Sequence, residues 1–396
     1  MSTPSTSRAK FERFPAPFAI VGLVGVIALV IFGMRIPQMA HRSYLFAFVF
    51  WFVIPMGCMG ILMLHHLVGG WWGLPIRRLL EAGTRTLPLM AVLFIPVILG
   101  MRITYPWIYE PGDLITNPNY KFKMEYLTPH FFIARVVIYF VIWLGVAALL
   151  NRWSREQDAD GADGTKFALR LEGLSGPGII LWGTALSFAV FDWVMSLEPH
   201  WFSTIYGMLF MVISALTAMS MMITVLRLLS DTEPIKDAVT PQQYNDLGNL
   251  MLAFTMLWAY MSFSQFLIIW AGNIKDEIPW YMSRAFGGWG RLALFLVIMH
   301  FAVPFLLLLQ RGVKRRLKWL SIVAGMMLCL SAIDVYWLIV PAYEQSGPRL
   351  HVTDLLAFIG IGGLWVAFYF WQLKKMPLLP LNDPRFEGAL VHEHGD

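Results

Sequence analysis

Long apolar runs constrain this chain more than any other feature of its sequence. A helix needs about 17–25 apolar residues to cross the hydrocarbon layer of a bilayer. Ten runs reach that length, near residues 16–34, 43–68, 87–105, 130–150, 177–197, 204–229, 247–271, 289–310, 318–340 and 354–373. The alternating pattern of a membrane β-barrel is absent, and a lipid-exposed helix satisfies its own backbone. The sequence therefore predicts an all-α integral membrane protein of about ten transmembrane helices, in one domain over residues 1–396.

Composition and charge support this interpretation. Hydrophobic residues make up 58% of the chain and charged residues 14%, whereas soluble domains have about 25% charged residues. Lys and Arg are about twice as frequent at the two termini and in the even-numbered loops as in the odd-numbered loops. This bias predicts that both termini are cytoplasmic, with a Pro-rich tail at 374–396 that lies extended against another surface. The net charge of +5 therefore indicates topology and not nucleic-acid binding.

Three further segments carry local expectations. The first apolar run has no small-residue cleavage site, so we expect a retained helix and not a removed signal peptide. The long segment 104–130 is rich in Tyr, Pro and Asn, which favours a functional loop or a partner contact. The charged, Gly-rich segment 152–167 is typical of a mobile surface loop. Prolines within the spans, at Pro55, Pro96 and Pro304, predict local kinks.

Two aspartates lie within the predicted spans, where ionisable side chains are costly and often functional. Asp192 and Asp334 are each five or six residues from the same side of the membrane. We expect Asp192 to face the helix bundle and either pair with a cation or share a proton. If the two carboxyl groups were close, each would raise the pKa of the other and make a proton carrier. The alternative is that each is an independent packing anchor.

Three histidines are further proton-relay candidates. His300 is near the middle of the eighth run, four residues before Pro304, so it could relay protons or simply be bonded into a kink. His65 and His66 lie near the cytoplasmic end of the second run. They could form the mouth of a proton path, or only an interfacial pair beside neighbouring tryptophans.

No cofactor or metal is expected on this chain itself. Cys58 and Cys329 are isolated and cannot make a four-thiolate iron–sulfur site. His65, His130 and His300 fall at different depths, whereas a membrane haem needs two histidines at matched depth on facing helices. Neither a nucleotide-binding motif nor a metal-ligand spacing is present.

Three stretches resemble a known family. These are "FDWVMSLEPHWFSTIYGMLFMVISALTAM" at 191–219, "YNDLGNLMLAFTMLWAYMSFSQFLIIWAGNI" at 244–274 and "PLNDPRFEGALVHEHGD" at 380–396. They are similar to the F subunit of bacterial alternative complex III, a quinol:cytochrome c oxidoreductase. That subunit is the second of two related membrane subunits in the polysulfide-reductase (NrfD-like) family. The resemblance covers most of the chain and is most specific at 191–219.

The resemblance implies an architecture and a set of partners. It implies two four-helix bundles, spans 2–5 and 6–9, with spans 1 and 10 peripheral. It also implies a multi-pass protein of the bacterial inner membrane, next to a sister membrane subunit and to periplasmic iron–sulfur and multi-haem cytochrome c subunits that carry the redox groups. Quinol oxidation is expected mainly in the sister subunit. This subunit would supply a proton path and a quinone-binding surface.

Three functions therefore remain open at this point. The first is a cofactor-free membrane subunit of a respiratory quinol-oxidising complex, not catalytic alone. The second is a secondary transporter of a small solute, because ten spans suit a five-plus-five inverted repeat, although the expected pair of interrupted helices is missing. The third is a structural membrane anchor for periplasmic redox subunits.

Overall fold

The computed structural model describes residues 15–112, 114, 121–159, 163–380 and 382–384. Within these ranges the chain is helical and contains no β-strand. Ten of the described helices are long and apolar enough to cross a membrane. The prediction of an all-α multi-span protein is therefore confirmed.

The ten spans are numbered α1 to α10 in chain order. Their bounds are α1 Pro15–Gly33, α2 Pro37–Val68, α3 Trp71–Leu99, α4 Pro129–Gln157, α5 Gly164–Trp193, α6 Ile205–Leu229, α7 Pro241–Gly272, α8 Gly287–Leu309, α9 Leu317–Ile339 and α10 Val352–Leu373. Short helices lie in the connections, at Met101–Thr104, Pro106–Tyr109, Lys121–Tyr126, Ile235–Ala238, Ile278–Ala285 and Arg311–Lys314. Because the spans are even in number, residues 15 and 373 lie at the same end of the molecule. We call it the terminal end and the opposite one the distal end.

The spans form two four-helix groups, as expected. The first bundle is α2–α5 and the second is α6–α9, and they meet where α2 packs along α6. The α1 and α10 helices pair with each other, and α10 also lies against α2. As a result α2 is almost entirely buried, whereas α1, α7 and α8 are mostly exposed. A helix that is buried on all sides needs no polar stripe. The apolar residues on every side of α2 are consistent with its central position.

Glycines set the closest helix contacts. At Gly57 of α2 an added Cβ would lie 1.8 Å from the carbonyl oxygen of Ser214 on α6. At Gly22 of α1 it would lie 2.4 Å from the backbone nitrogen of Leu364 on α10. Small residues allow this close backbone approach, which stabilises helix pairs in lipid through packing.

The expectation for segment 152–167 was wrong for most of its length. The α4 helix continues to Gln157 and α5 already begins at Gly164. Ser154 and Gln157 are buried, since they bond to charged groups of α3. Residues 160–162 lie outside the described residues, as do 1–14, 113, 115–120, 381 and 385–396, so the expectations for the ends and for part of 104–130 fall there.

Candidate functional site

A cavity of about 660 Å³ lies in the distal half of the second bundle. Its walls come from α7, α8, α9 and the short helix Ile278–Ala285, and they are mostly apolar and aromatic. A few polar side chains interrupt this lining, among them Gln265, Arg284 and Asp334. An apolar cavity with few polar groups is typical of a small-molecule site.

The cavity opens on the flank of the bundle between α7 and α8. Tyr260 and Phe263 of α7 lie on its rim and are 63% and 60% exposed, and Val297 of α8 is 54% exposed. These residues belong to the spanning parts of their helices. The opening therefore faces the side of the molecule, where a ligand dissolved in a bilayer can reach it.

Asp334 contributes the carboxylate of the cavity wall. The α9 helix holds it in an almost fully buried position, 3% exposed. Its Oδ2 accepts a hydrogen bond of 2.8 Å from the indole Nε1 of Trp258 on α7. This is the one hydrogen bond of the carboxylate within the described residues, so it keeps most of its capacity to accept further bonds.

His300 lies one helical turn deeper than Asp334, in a π-helical segment of α8. This segment, Val297–Ala302, ends two residues before Pro304, which has no N–H and cannot continue regular bonding. The Nε2 atom of His300 is 3.5 Å from Oγ of Ser331, and Nδ1 has no hydrogen-bond partner among the described residues. Ser331 is three residues before Asp334 on α9. The Ser331 hydroxyl donates to the carbonyl oxygen of Met327 at 2.9 Å, so its contact with His300 links α9 to α8 about one helical turn from Asp334.

Arg284 closes the distal end of the cavity. Its Nη2 donates to Glu198 Oε1 at 2.6 Å and to the carbonyl oxygen of Leu338 at 3.1 Å. The guanidinium also lies 4.0 Å over the ring of Trp280, which is a favourable cation–π distance. Arg284 was not predicted from the sequence, because its acidic partner is 86 residues away in the α5–α6 connection.

Asp192 lies in the first bundle and has a different environment. The Nε and Nη2 atoms of Arg135 on α4 each donate to its carboxylate at 2.8 Å. The hydroxyl of Tyr139 donates a third bond at 2.7 Å. The structure thus brings Asp192 to a cation and Asp334 to an indole, and not to each other. A buried bidentate pair of this kind fixes geometry.

His65 and His66 are buried beneath the turn that joins α2 to α3. They are 0% and 3% exposed, and the His65 ring meets the Trp72 ring edge-on at 5.2 Å. The ring also fills the space beside Gly73, where a Cβ would lie 2.2 Å from Nδ1. Both imidazoles are therefore buried side chains at the terminal end of the molecule.

A charged cluster at the terminal end of the first bundle was also missed. Arg77 and Arg78 of α3 are both 1% exposed, and Glu81 accepts bonds of 3.1 Å from Arg77 Nε and 2.7 Å from Arg78 Nη1. The spacing of these residues, three and four apart, was the available signal. Asp383 of the tail pairs with Arg77, so this part of the tail lies against the first bundle.

Comparison with models of known protein families found no match, and comparison with curated proteins found none either. Across the described ranges no group of three or more His, Cys, Asp or Glu side chains is arranged to hold a metal ion.

Proposed function

We propose that this protein is a cofactor-free membrane subunit of a respiratory quinol-oxidising complex, and that its second bundle contains a quinol-facing cavity. The observation that carries the proposal is the lipid-side cavity with Asp334 in its wall. The assignment to alternative complex III rests on the sequence resemblance, above all at residues 191–219.

The cavity suits an amphipathic ring compound. A quinol has a flat aromatic ring, two hydroxyl groups and an apolar tail. Aromatic side chains such as Trp258 and Tyr281 suit the ring, and the gap between α7 and α8 suits the tail. Gln265 and Arg284 are the polar groups that could hold one oxygen, and Asp334 could hold the other.

Asp334 would act as the proton acceptor. A quinol loses two electrons and two protons on oxidation, and the electrons would go to redox groups of partner subunits. We assign Asp334 to accept the two protons from the quinol hydroxyls one after the other, because it is a carboxylate with free acceptor capacity. The first proton would pass on before the second is accepted. Ser331 lies three residues before Asp334 on the same helix and is 3.5 Å from His300, so we assign these two side chains to receive each proton and pass it on within the second bundle.

Asp192 has a separate role in this proposal. Its carboxylate already accepts three hydrogen bonds from Arg135 and Tyr139, so we assign it to hold α4 and α5 together and not to carry protons. His65 and His66, buried under their turn, are likewise assigned to packing at the terminal end. The proton path of the proposal is thus confined to the second bundle.

The proposed setting is the bacterial inner membrane, with the distal end in the periplasm. The excess of Lys and Arg at the terminal end supports this orientation. The proposed partners are the sister membrane subunit and the periplasmic iron–sulfur and multi-haem cytochrome c subunits. Purification in mild detergent tests this setting. A c-type haem spectrum and an iron–sulfur protein in the same complex would support it, and a purified chain without them would contradict it.

The Asp334→Asn variant tests the site within that complex. Loss of the acceptor should lower quinol-dependent turnover by about 10²-fold, the usual contribution of general-base catalysis. Asp276→Asn removes an exposed carboxylate of the distal end and should leave turnover unchanged. Wild-type turnover and proton release in Asp334→Asn would contradict the assignment and favour a structural anchor. Solute uptake by the purified protein alone in vesicles would favour a transporter.

A further inference from the structure

A second cavity, of about 310 Å³, lies at the terminal end of the second bundle. It is formed between the start of α7 and the short helix that joins α8 to α9. Every lining residue is polar, with three amides and three cations: Gln242, Asn245, Asn249, Arg311, Lys314 and Arg315. Three positive charges around one recess would attract an anion.

Lys314 is held in a fixed position at the recess by burial, hydrogen bonding and packing. It is 7% exposed, and its Nζ donates to Asn249 Oδ1 at 2.6 Å. Its alkyl stem lies flat on Gly248 of α7, where a Cβ would come 2.7 Å from Lys314 Cγ. No carboxylate of the described residues forms an ion pair with it. A buried cation without a counter-ion is unfavourable, so a bound anion would stabilise this arrangement.

The groups next to the recess are compatible with a bound anion in their charge and hydrogen bonding. Burial, and then the charge of Arg311, lower the pKa of Lys314, as expected for a buried cation that faces a second positive charge. The adjacent carboxylate, Asp246, accepts a hydrogen bond from Gln242 at 3.0 Å and does not line the recess. The Oδ1 atom of Asn245 is buried and lacks a hydrogen-bond partner among the described residues. A half-turn of that amide would present its NH₂ group as a donor.

The surroundings indicate where the anion comes from. Leu309, Trp319 and Ile322 belong to the same end of α8 and α9, and they are 53%, 49% and 54% exposed. Apolar side chains and a tryptophan next to basic residues are typical of the membrane interface. Basic recesses between transmembrane helices at the cytoplasmic side bind acidic lipid headgroups.

We infer that this recess binds a phosphate group, supplied by the headgroup of an acidic phospholipid whose acyl chains lie along α8 and α9. Arg311 and Arg315, both exposed, can donate to phosphate oxygens from the rim, and Lys314 donates from below. The Gly248 contact keeps Lys314 in place. The inference does not depend on the quinol assignment, because the two cavities share no residue.

Thermal unfolding of the purified full chain in mild detergent tests the inference. Added phosphatidylglycerol should raise the unfolding midpoint of the wild type, and phosphatidylcholine should not. Arg311→Gln and Lys314→Gln should each weaken the apparent affinity for phosphatidylglycerol about tenfold, the loss of one charge-assisted contact. Gly248→Ala should weaken it as well without changing any charge.

Lys318→Gln is the matched control. It removes an exposed basic residue of the same segment that does not line the recess, so the lipid response should stay at the wild-type level. If Lys314→Gln does not fold, Arg311→Gln and Arg315→Gln change only exposed side chains and keep the test decisive.

A third arm uses inorganic phosphate in place of lipid. Stabilisation by phosphate that is lost in Arg311→Gln would support the phosphate site and identify solution as a source. Stabilisation by lipid alone would identify the headgroup as the source. The inference is overturned if neither ligand raises the midpoint, or if Arg311→Gln, Lys314→Gln and Lys318→Gln all respond like the wild type.

Discussion

At the scale of single residues, the two buried aspartates have different partners. The sequence places Asp192 and Asp334 at similar depth and gives no means of distinguishing them. In the structure Asp192 has three donors from α4, whereas Asp334 has one indole donor and a cavity beside it. The partners are 57 and 76 residues away along the chain. The hydropathy pattern predicts the depth of a residue in the membrane. Its neighbours depend on how its helix is rotated about the helix axis, which the pattern does not predict.

The Arg135→Gln variant tests the role of the Asp192 pair. Removing one partner of a buried ion pair leaves an uncompensated charge and should lower the free energy of unfolding by roughly 3–5 kcal/mol. Arg152→Gln, on the same helix, breaks a solvent-exposed pair with Glu156 and should change it by about 0–1 kcal/mol. Equilibrium unfolding in detergent measures both. Equal effects of the two variants would show that the Asp192 pair contributes no more than a surface pair.

At the scale of elements, the sequence predicts the length of most helices, but it does not predict which side of each helix contacts its neighbours. The predicted runs match the observed spans at most ends, because length and hydropathy set them. The starts predicted near 87 and 177 were wrong, because α3 begins at Trp71 and α5 at Gly164, where charged residues continue the helices. The second run was predicted to start near residue 43, whereas α2 begins at Pro37, because polar residues join the start of this helix. Arg42 there is buried by pairing with Asp354 of α10. Apolar residues surround most spans, so no stripe indicates which face meets a neighbour.

Gly57 provides a test of the contact between the two bundles. Gly57→Ala places a Cβ within 1.8 Å of a backbone oxygen of α6, so the helices must separate, at a cost of about 1–3 kcal/mol. Gly145→Ala on α4 meets nothing within 4 Å and should leave stability unchanged or raise it by up to ~1 kcal/mol through helix propensity. Unfolding measurements that give both variants the same stability would contradict the packing described for α2 and α6.

The short helix Lys121–Tyr126 should make the stability of the distal end depend on pH. Burial lowers the pKa of Lys123 from 10.5 to about 8, while its Nζ donates to the carbonyl oxygen of Trp201. Between these two values the unfolded chain binds more protons than the folded one, so stability should rise with pH across that window and be flat on either side. Lys123→Met should reduce this rise, whereas Lys121→Met, which changes an exposed side chain, should keep it. Parallel thermal-midpoint curves for wild type and Lys123→Met would contradict the prediction.

At the scale of the whole molecule, two bundles meet at α2 and have different polar interiors. The first is tied by ion pairs at both ends, at Asp192 and around Glu81. The second has a cavity open to its flank, with Asp334 and His300 behind it. The sequence predicted the number of spans and the two carboxylates. It could not predict the cavity, because the cavity is the space left between helices that are far apart in the sequence and adjacent in the structure.

The most direct test of this account is the binding of short-chain ubiquinone and menaquinone analogues to the purified protein in lipid nanodiscs. At least one analogue should bind the wild type. Ala259→Trp, which fills the cavity, and Asp334→Asn, which removes its carboxylate, should each weaken that binding at least about tenfold. Asp276→Asn should bind like the wild type. Wild-type affinity in both cavity variants, or no binding of any analogue, would contradict the proposal that the second bundle faces quinol.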